Sequence, residues 1–468
     1  MAPVTPTVSP REELRDVDLG DRRLNVRVGR LAAAWEAAPD RSLPEMLKTD
    51  GQLEAAYRFL NNPRVTLAKL LAPHVAATAQ RARMGTAVAV LHDTTEFRFG
   101  GEQARVGLGP IAMNGQGFFG HVALAVGAGR AALGVIGLSI VVREAALNRS
   151  KPPQRPSRER TESRRWATVI RATEARIGDV HPIHVMDREA DDYQLFGEMA
   201  REGWRFVVRA HTARQRKAKV ASAAAATSVL DLAPTLRGFA QREVSITARA
   251  GKRGGQSEKI HPVRAHRLAT LSFHAAQVEL VPPTHQRRLA PLPIHVVHVA
   301  ETDVPAGVEP IDWTLYTTEP ISTSAEVLAV VDVYRSRWVI EEFFKALKTG
   351  CAIERRQLES KDALLNALGL SIPIAVKMLA LRNLARSEPA APASRILSRI
   401  ELDALRVIAE RRPLPDSPSA RDALLSIAGV GGHLKRNGDP GWLVIARGFE
   451  TLSTAVQVIE AERARRRR

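Results

Sequence analysis

Apolar and polar positions follow two rhythms along the chain, and the change between them divides it. Residues 11–75 read as helices joined by short turns. Leu24–Trp35 is a helix that carries Arg23, Arg27 and Arg30 at spacings of four and three, which places them on one face. Glu54–Phe59 is helical and is ended by Asn61-Asn62-Pro63. From Thr86 short apolar runs take over. Ala87–Leu91 predicts a strand whose C-terminal end delivers the polar residues His92-Asp93-Thr94-Thr95. His121–Gly127 and Ala131–Val142 follow as further strands, so the three predict an antiparallel meander.

Helices and strands then alternate. Ser157–Gly178 predicts a helix, Pro182–Met186 a strand ending in Asp187, Ala190–Arg201 a helix and Trp204–Ala210 a strand. Residues 211 to about 308 break this order. Arg242–Ala248, Leu268–Leu280 and Ile294–Ala300 read as strands, with a turn at Gly251–Gly255, and predict a small basic β-subdomain inserted into an α/β core. Trp313–Thr318 resumes a strand, and Ser324–Thr349 predicts one long helix. Residues 385–423, rich in Pro, Ser and Arg, read as a connection with a helix near Ile396–Glu410. A turn at Gly429–Gly432, a loop at Asn437–Gly441 and a helix to Glu462 complete the chain, with Arg465 to Arg468 frayed.

Composition narrows the class. With 45% hydrophobic residues in 468, there is enough apolar mass for two or three cores, which excludes a disordered or fibrous protein. The single cysteine, Cys351, excludes a disulfide framework and a thiolate zinc site, and points to a reducing cytoplasmic compartment. The N-terminus has no signal-like apolar run. Ala131–Val142 is the best candidate for a membrane span and is too short, so no membrane partner is expected.

Charge narrows it further. The formal excess is +18, and residues 201–300 hold 17 Lys and Arg against 5 Asp and Glu. Two-thirds of the excess therefore lies in one stretch, which predicts a polyanion-binding patch, with nucleic acid the leading candidate.

Asp93 and Asp187 stand at predicted strand ends, where carboxylates can hold Mg²⁺ while leaving positions for phosphate oxygens. On the predicted 324–349 helix, Tyr334, Arg337, Glu341 and Lys348 fall at offsets 0, 3, 7 and 14, within an arc of about 60°. Trp338 lies beside that arc and Glu342 well off it. Such a face suits a metal ion together with a phosphodiester, and equally an exposed stripe of ion pairs. There is no Gly-x-Ser-x-Gly elbow, no His-Glu-x-x-His helix, no Walker loop and no dinucleotide glycine fingerprint. His181 and His184 read as strand packing or surface.

At these residues the sequence resembles the bacterial cut-and-paste insertion-sequence transposases of the IS-four group, Tn-five-like branch. LGDRRLNVRVGRLA (Leu19–Ala32) and EAAYRFLNNPRV (Glu54–Val65) are similar to that family's end-binding domain. HDTTEF, MDREADDY with RFVVRAH (Arg205–His211), and WTLYTTEP (Trp313–Pro320) follow its catalytic segments. YRSRWVIEEFFKALKTG matches its Tyr-Arg-Glu-Lys signature, and IAGVGGHLKRNGDPGW (Ile427–Trp442) its C-terminal region.

The resemblance implies an α/β, ribonuclease-H-like core at 76–384, interrupted by a β-rich insertion at about 211–308. A helical end-binding domain at 1–75 and a helical dimerisation region at 385–468 would flank it. Asp93, Asp187 and Glu341 would be an Asp-Asp-Glu triad binding two Mg²⁺ ions, with Mn²⁺ able to substitute. Tyr334, Arg337 and Lys348 would grip phosphates, Trp313 would stack on a flipped base, Arg209 would lie near the DNA backbone, and Trp338, Arg23 and Arg27 would also contact DNA. The implied partners are double-stranded DNA (terminal inverted repeats and target) and a second copy of the chain in a synaptic homodimer, in the bacterial cytoplasm at the nucleoid. The implied reaction is nicking, hairpin formation and opening, then strand transfer. The readings from other classes are a catalytically inactive DNA-binding, dimerising regulator and a metal-dependent nuclease without strand transfer.

Overall fold

In the computed structural model the described residues are 9–85, 87–101, 103–111, 115–143, 157–221, 223–248 and 265–466. They fall into two units, Met1–Pro182 with Trp338–Arg468, and Ile183–Arg337. Apart from single helical turns at Pro10–Glu13 and Leu43–Met46, the first unit begins with three helices, α1 (Arg22–Ala37), α2 (Asp50–Leu60) and α3 (Leu67–Arg83), each opened by a side chain that accepts an early amide: Asp21, Thr49 and Thr66. Val28, Leu31, Ala32 and Trp35 of α1 are buried at spacings of three, one and three, which leaves Arg23, Arg27 and Arg30 on other faces. Asn61 caps α2 at its C-terminal end.

Of strands β1 (Ala89–Phe99), β2 (Gly109–Ile111), β3 (Gly115–Val126) and β4 (Ala132–Val141), β1, β3 and β4 form the three-stranded antiparallel meander the sequence predicts, and β2 is a short addition. β3 pairs with β1 along one edge and with β2 and β4 along the other. β1 is longer than expected. Asp93 lies near its middle rather than past its end, because Phe97 and Phe99 continue the buried alternation beyond the polar Asp93–Glu96 stretch. Helices α3 and α4 (Ser157–Ile177) cover this sheet through Ala79, Ala82, Val169 and Ile177 against Val90, Ala123, Ala125 and Ile136. A buried pin fixes α3 to β4. The Val135 amide donates to His74 Nε2 at 3.0 Å, so His74 Nδ1 carries the proton that it shares with Glu13 at 2.5 Å. Gly134 sits at φ +141° in this pin, where an added Cβ would lie 2.1 Å from Thr78 Oγ1.

The second unit opens with β5 (Ile183–Met186), α5 (Tyr193–Arg201) and β6 (Arg205–Arg209), with β5 and β6 parallel. Strands β7 (Lys217–Lys219), β8 (Thr227–Ser228), β9 (Arg237–Ile246), β10 (Arg267–Leu280) and β11 (Leu292–Thr302) make up the insertion, and β12 (Asp312–Thr317) follows. The insertion is β-rich, but it is not a separate subdomain. β11 pairs with β12 and β12 with β6, so its strands extend the unit's own sheet. β12 can be an interior strand because Thr314 to Thr317 are buried on both faces. The turn expected at Gly251–Gly255 lies outside the described residues. Helix α6 (Ser324–Arg335) closes the unit.

The expected single helix over 324–349 is broken. Ser336 directs both its amide (3.0 Å) and its hydroxyl (2.6 Å) to the Val333 carbonyl, and the Arg337 amide donates to Tyr334 O at 3.0 Å. These tighter turns end α6, and a new helix, α7 (Trp338–Lys345), begins. A wide turn at Ala346–Gly350 follows α7. The common arc for Tyr334, Arg337, Glu341 and Lys348 therefore does not exist as one helix face.

The first unit resumes at α7 and continues through α8 (Lys361–Ser387), α9 (Arg399–Ile408), α10 (Ala420–Val430) and α11 (Trp442–Arg466). α8 has the length and apolarity of a membrane span, at a mean hydropathy of 1.8, yet 94% of that window is buried within the fold. It is the core helix of the unit: Trp35 Nε1 donates to Ser371 Oγ at 3.0 Å, and Asn366 Nδ2 donates to the Leu60 and Val65 carbonyls. α10 and α11 cross so closely that a Cβ on Gly448 would lie 1.9 Å from Ile427 O. Arg465 and Arg466 are helical rather than frayed, since α11 runs on to Arg466.

Candidate active site

In the first unit the candidates gather on β1 and α7, which pack together. Along β1, Thr94 faces His121 across the strand pair, and Thr94 Oγ1 hydrogen-bonds His121 Nδ1 at 2.9 Å. His92 lies on the same side and stacks near His121 and Trp166. Burial pushes His121 down to about 3, so the imidazole is neutral. Asp93 alternates to the opposite face, the one carrying Phe97 and Phe99, and its Oδ1 accepts the Thr94 amide at 2.7 Å. Lys348 reaches that face: its ammonium lies 5.5 Å over the Phe97 ring, donates to Glu96 O, and sits 3.3 Å from the Glu354 carboxylate. Glu341 and Trp338 project from α7, Trp338 with 55% of its surface exposed.

In the second unit another cluster forms where β5 ends. Asp187 follows β5 and caps a short turn by accepting the Glu189 amide at 2.9 Å. Tyr334 is buried, which raises its phenol; Arg337 and Arg209 pull it down, Arg337 through a hydrogen bond as well, and Asp187 pushes it up. Trp313 meets Tyr334 edge-on with ring centroids 5.8 Å apart, and the Arg209 guanidinium lies 5.9 Å over Trp313. Five residues singled out in the sequence (Asp187, Arg209, Trp313, Tyr334 and Arg337) are thus brought together. Among the described residues, no three His, Cys, Asp or Glu side chains are gathered closely enough to cage an ion.

The N-terminal arginines line clefts at the start of α1. One of about 510 Å³ is bounded by Asp21, Arg23, Leu24, Arg27, Asn62, Pro63 and Arg64. A second of about 500 Å³ is bounded by Arg22, Arg23, Val26, Arg27, Arg30 and Asp21. Arg64 lies 3.6 Å from Asp21, which draws the turn after α2 toward α1. Guanidinium groups converging on solvent-filled clefts suit phosphates.

Sequence reasoning passed over Arg64, Glu354 and Glu342. Arg64 directly follows the Asn61-Asn62-Pro63 stop, and a cation beside a helix end was the available signal. Glu354 carried none, since only the turn at 346–350 brings it back to Lys348.

Basic clefts along one helix, with carboxylates set among Arg, Lys and aromatic side chains elsewhere, suit an enzyme that acts on nucleic acid. Comparison with known families makes this specific. Residues 10–65 match the family model described as Transposase DNA-binding, and residues 155–374 the one described as Transposase DDE domain. Together the matches cover more than half of the chain and support a DNA transposase of the DDE class, with an N-terminal segment that binds DNA. The second match includes Asp187, Tyr334, Arg337, Glu341 and Lys348, whereas Asp93 lies before it.

Proposed function

We propose that this transposase moves an insertion sequence by a cut-and-paste reaction of the Tn-five-like kind, with Asp93, Asp187 and Glu341 acting together as its Asp-Asp-Glu set. The observation that carries the reading is the cluster at the end of β5, where Arg337 and Arg209 flank a buried phenol beside Asp187. Support from the other unit is the placement of Asp93, Lys348 and Glu341 on elements that pack together. The domain plan that goes with this reading is an end-binding domain at 1–75, a catalytic domain at 76–384 and a dimerisation region at 385–468.

The donor chemistry fits Mg²⁺ or Mn²⁺. The three candidate ligands are hard carboxylate oxygens, and the one thiol, Cys351, is buried and pushed up to about 12, so it stays protonated. Asp93, Asp187 and Glu341 would hold two ions, which supply Lewis acidity toward the phosphoryl oxygens and a more acidic water.

The remaining work belongs to the side chains. Arg337 and Lys348 hold phosphate oxygens in register, Tyr334 orients Arg337, and Trp313 offers a ring for an unstacked base, with Arg209 and Trp338 at the backbone. Water attacks the phosphodiester at the element's end and the 3′-oxygen leaves. That 3′-hydroxyl attacks the opposite strand to give a hairpin, water reopens it, and the 3′-hydroxyl then joins target DNA. Each step exchanges one oxygen for another on phosphorus, so no covalent enzyme intermediate is needed. A homodimer would hold two terminal inverted repeats during these steps.

The test is an excision assay with purified protein, Mg²⁺ and a plasmid bearing the two ends that flank the gene. Release of the element with hairpin ends, followed by a joined product, is expected. Binding without cleavage would favour the inactive regulator, and linear products that never join would favour a simple nuclease.

Arg23 and Arg27 give a separate prediction. Changing both to Ala is expected to weaken end binding and to reduce the magnitude of the log–log salt slope by about 2, as loss of two phosphate contacts requires. Filter binding over a salt series measures it, and an unchanged slope removes these arginines from the interface.

A further inference from the structure

Helix α7 is eight residues long, so its own hydrogen bonds give it little independent stability. It is also cut off at both ends, by the Ser336 break before it and the wide turn at Ala346–Gly350 after it. Its rotation about its own axis must therefore be set by what its side chains grip. Val339, Ile340, Phe343 and Phe344 supply an apolar face. One polar grip is Glu342, which points into the C-terminal part of the unit. Its Oε2 accepts from Arg382 of α8 and from Trp442 Nε1 at 3.2 Å, and its Oε1 accepts from Lys345 at 2.7 Å.

The seat is itself braced. Arg382 stacks over the Trp442 ring at 4.4 Å, and Trp442 is buried at the first position of α11. Asp439, just before it, is held by Arg421 at 2.6 Å and Arg386 at 3.4 Å. Arg382 is nearly buried and Glu342 only partly exposed, so the pair is screened little by solvent.

Adjacent residues on a helix project roughly 100° apart, so a fixed direction for Glu342 fixes that of Glu341. We propose that Glu342 is a positioning residue which, seated on Arg382 and Trp442, sets the rotation of α7 and so aims Glu341. This rests on the reading of Glu341 as a metal-binding carboxylate. It also gives the C-terminal segment around Trp442 a part in the active site without contact with DNA or metal.

The test uses the full-length protein with Glu342→Ala, Glu342→Gln and Trp442→Phe. Mn²⁺ binding is followed by electron paramagnetic resonance, end binding by gel shift without divalent metal, and single-turnover cleavage of a duplex carrying the flanking end. For Glu342→Ala, Mn²⁺ affinity and cleavage are each expected to fall about 10- to 100-fold, with end binding within about twofold. Glu342→Gln keeps an acceptor and is expected to recover most of the loss. Trp442→Phe removes one donor and keeps the ring, so a smaller shift in the same direction is expected.

Equal losses of end binding, metal binding and cleavage would mean a structural role only and would overturn the proposal, as would unchanged Mn²⁺ affinity. Should Glu342→Ala fail to fold, Trp442→Phe decides in the same way. Glu341→Gln separates the two layers. If it is inactive while Glu342→Ala binds Mn²⁺ normally, positioning alone is wrong. If Glu341→Gln cleaves at the wild-type rate, the ligand reading and the positioning proposal fall together.

Discussion

Glu341→Gln is expected to lower end cleavage by at least about a thousandfold while leaving end binding intact. The size follows from the chemistry. A phosphodiester is attacked by an oxygen nucleophile and expels an oxygen leaving group, so charge grows on both sides of phosphorus. Removing one preorganised electrostatic partner from such a transition state typically costs 10²- to 10³-fold or about 3–4 kcal/mol. Loss of a carboxylate that anchors a doubly charged ion should be no smaller. Asp93→Asn and Asp187→Asn should give losses of the same order, and a double replacement little more than either single one, because the three would act as a unit. Asp93 is the sharpest case, since it lies outside the matched DDE segment and on the other unit from Asp187. Single-turnover cleavage beside gel-shift affinity measures all three. A variant that cleaves within tenfold of wild type removes that residue from the set.

The readable parts of this chain were those where neighbours in sequence decide the outcome. The β1–β3–β4 meander and the α1 face with Arg23 and Arg27 follow from alternation and helical spacing within a dozen residues. Strands within residues 211–308 were also readable, but their union with the sheet was not. Pairing of β11 with β12 depends on strand edges that periodicity does not show. The extension of β1 past Asp93 was hidden because five polar residues in a row, His92 to Glu96, look like a strand end, and two phenylalanines beyond them reverse that.

Breaking of the 324–349 helix was hidden for a different reason. Ser336 is compatible with a helix, and the stop is made by its hydroxyl turning back on Val333. Selection of Tyr334, Arg337, Glu341 and Lys348 thus rested on a straight helix that is absent. Tyr334 and Arg337 nevertheless meet across the end of α6, while Lys348 reaches the Asp93 face of β1 from a wide turn. The residue types carried the signal and the arc did not. Glu342 shows the converse, since its place next to Glu341 on α7 turns it roughly 100° away, toward Arg382 and Trp442.

The second large effect concerns stability. Lys377 sits in the middle of α8, fully enclosed, paired with Glu401 of α9 and 3.8 Å from Glu36 of α1. Burial by itself would lower this lysine, but the two carboxylates more than compensate and hold it above its ordinary value of 10.5. Burial would raise Glu401, but Lys377 and the Ser398 cap hold it below 4.5. Glu36 is raised, because burial there outweighs the attraction of Lys377. The signs follow. The Lys377 contribution is complete below 10.5 and is lost as pH rises through its higher folded value. The Glu401 contribution is present above 4.5 and is lost as pH falls through its lower folded value. Glu36 opposes these, being a burden when ionised that acid relieves. Glu401→Ala at neutral pH leaves an ammonium in the core with only the more distant Glu36, and is expected to destabilise this unit by about 3–5 kcal/mol. Lys377→Met alone leaves two buried carboxylates facing each other, and is expected to destabilise as well. Lys377→Met with Glu401→Leu and Glu36→Leu removes the clustered charges as a whole and should recover most of the loss, because buried ion pairs are worth little more than well-packed apolar groups. Urea unfolding followed by tryptophan fluorescence, to which Trp35, Trp166, Trp338 and Trp442 of this unit contribute, measures the series. A Glu401→Ala midpoint equal to wild type would show that Glu36 alone neutralises Lys377. The cluster joins α1, the helix that carries Arg23 and Arg27, to the core helix. Weakening it should therefore loosen the proposed DNA-binding face before it disturbs β1.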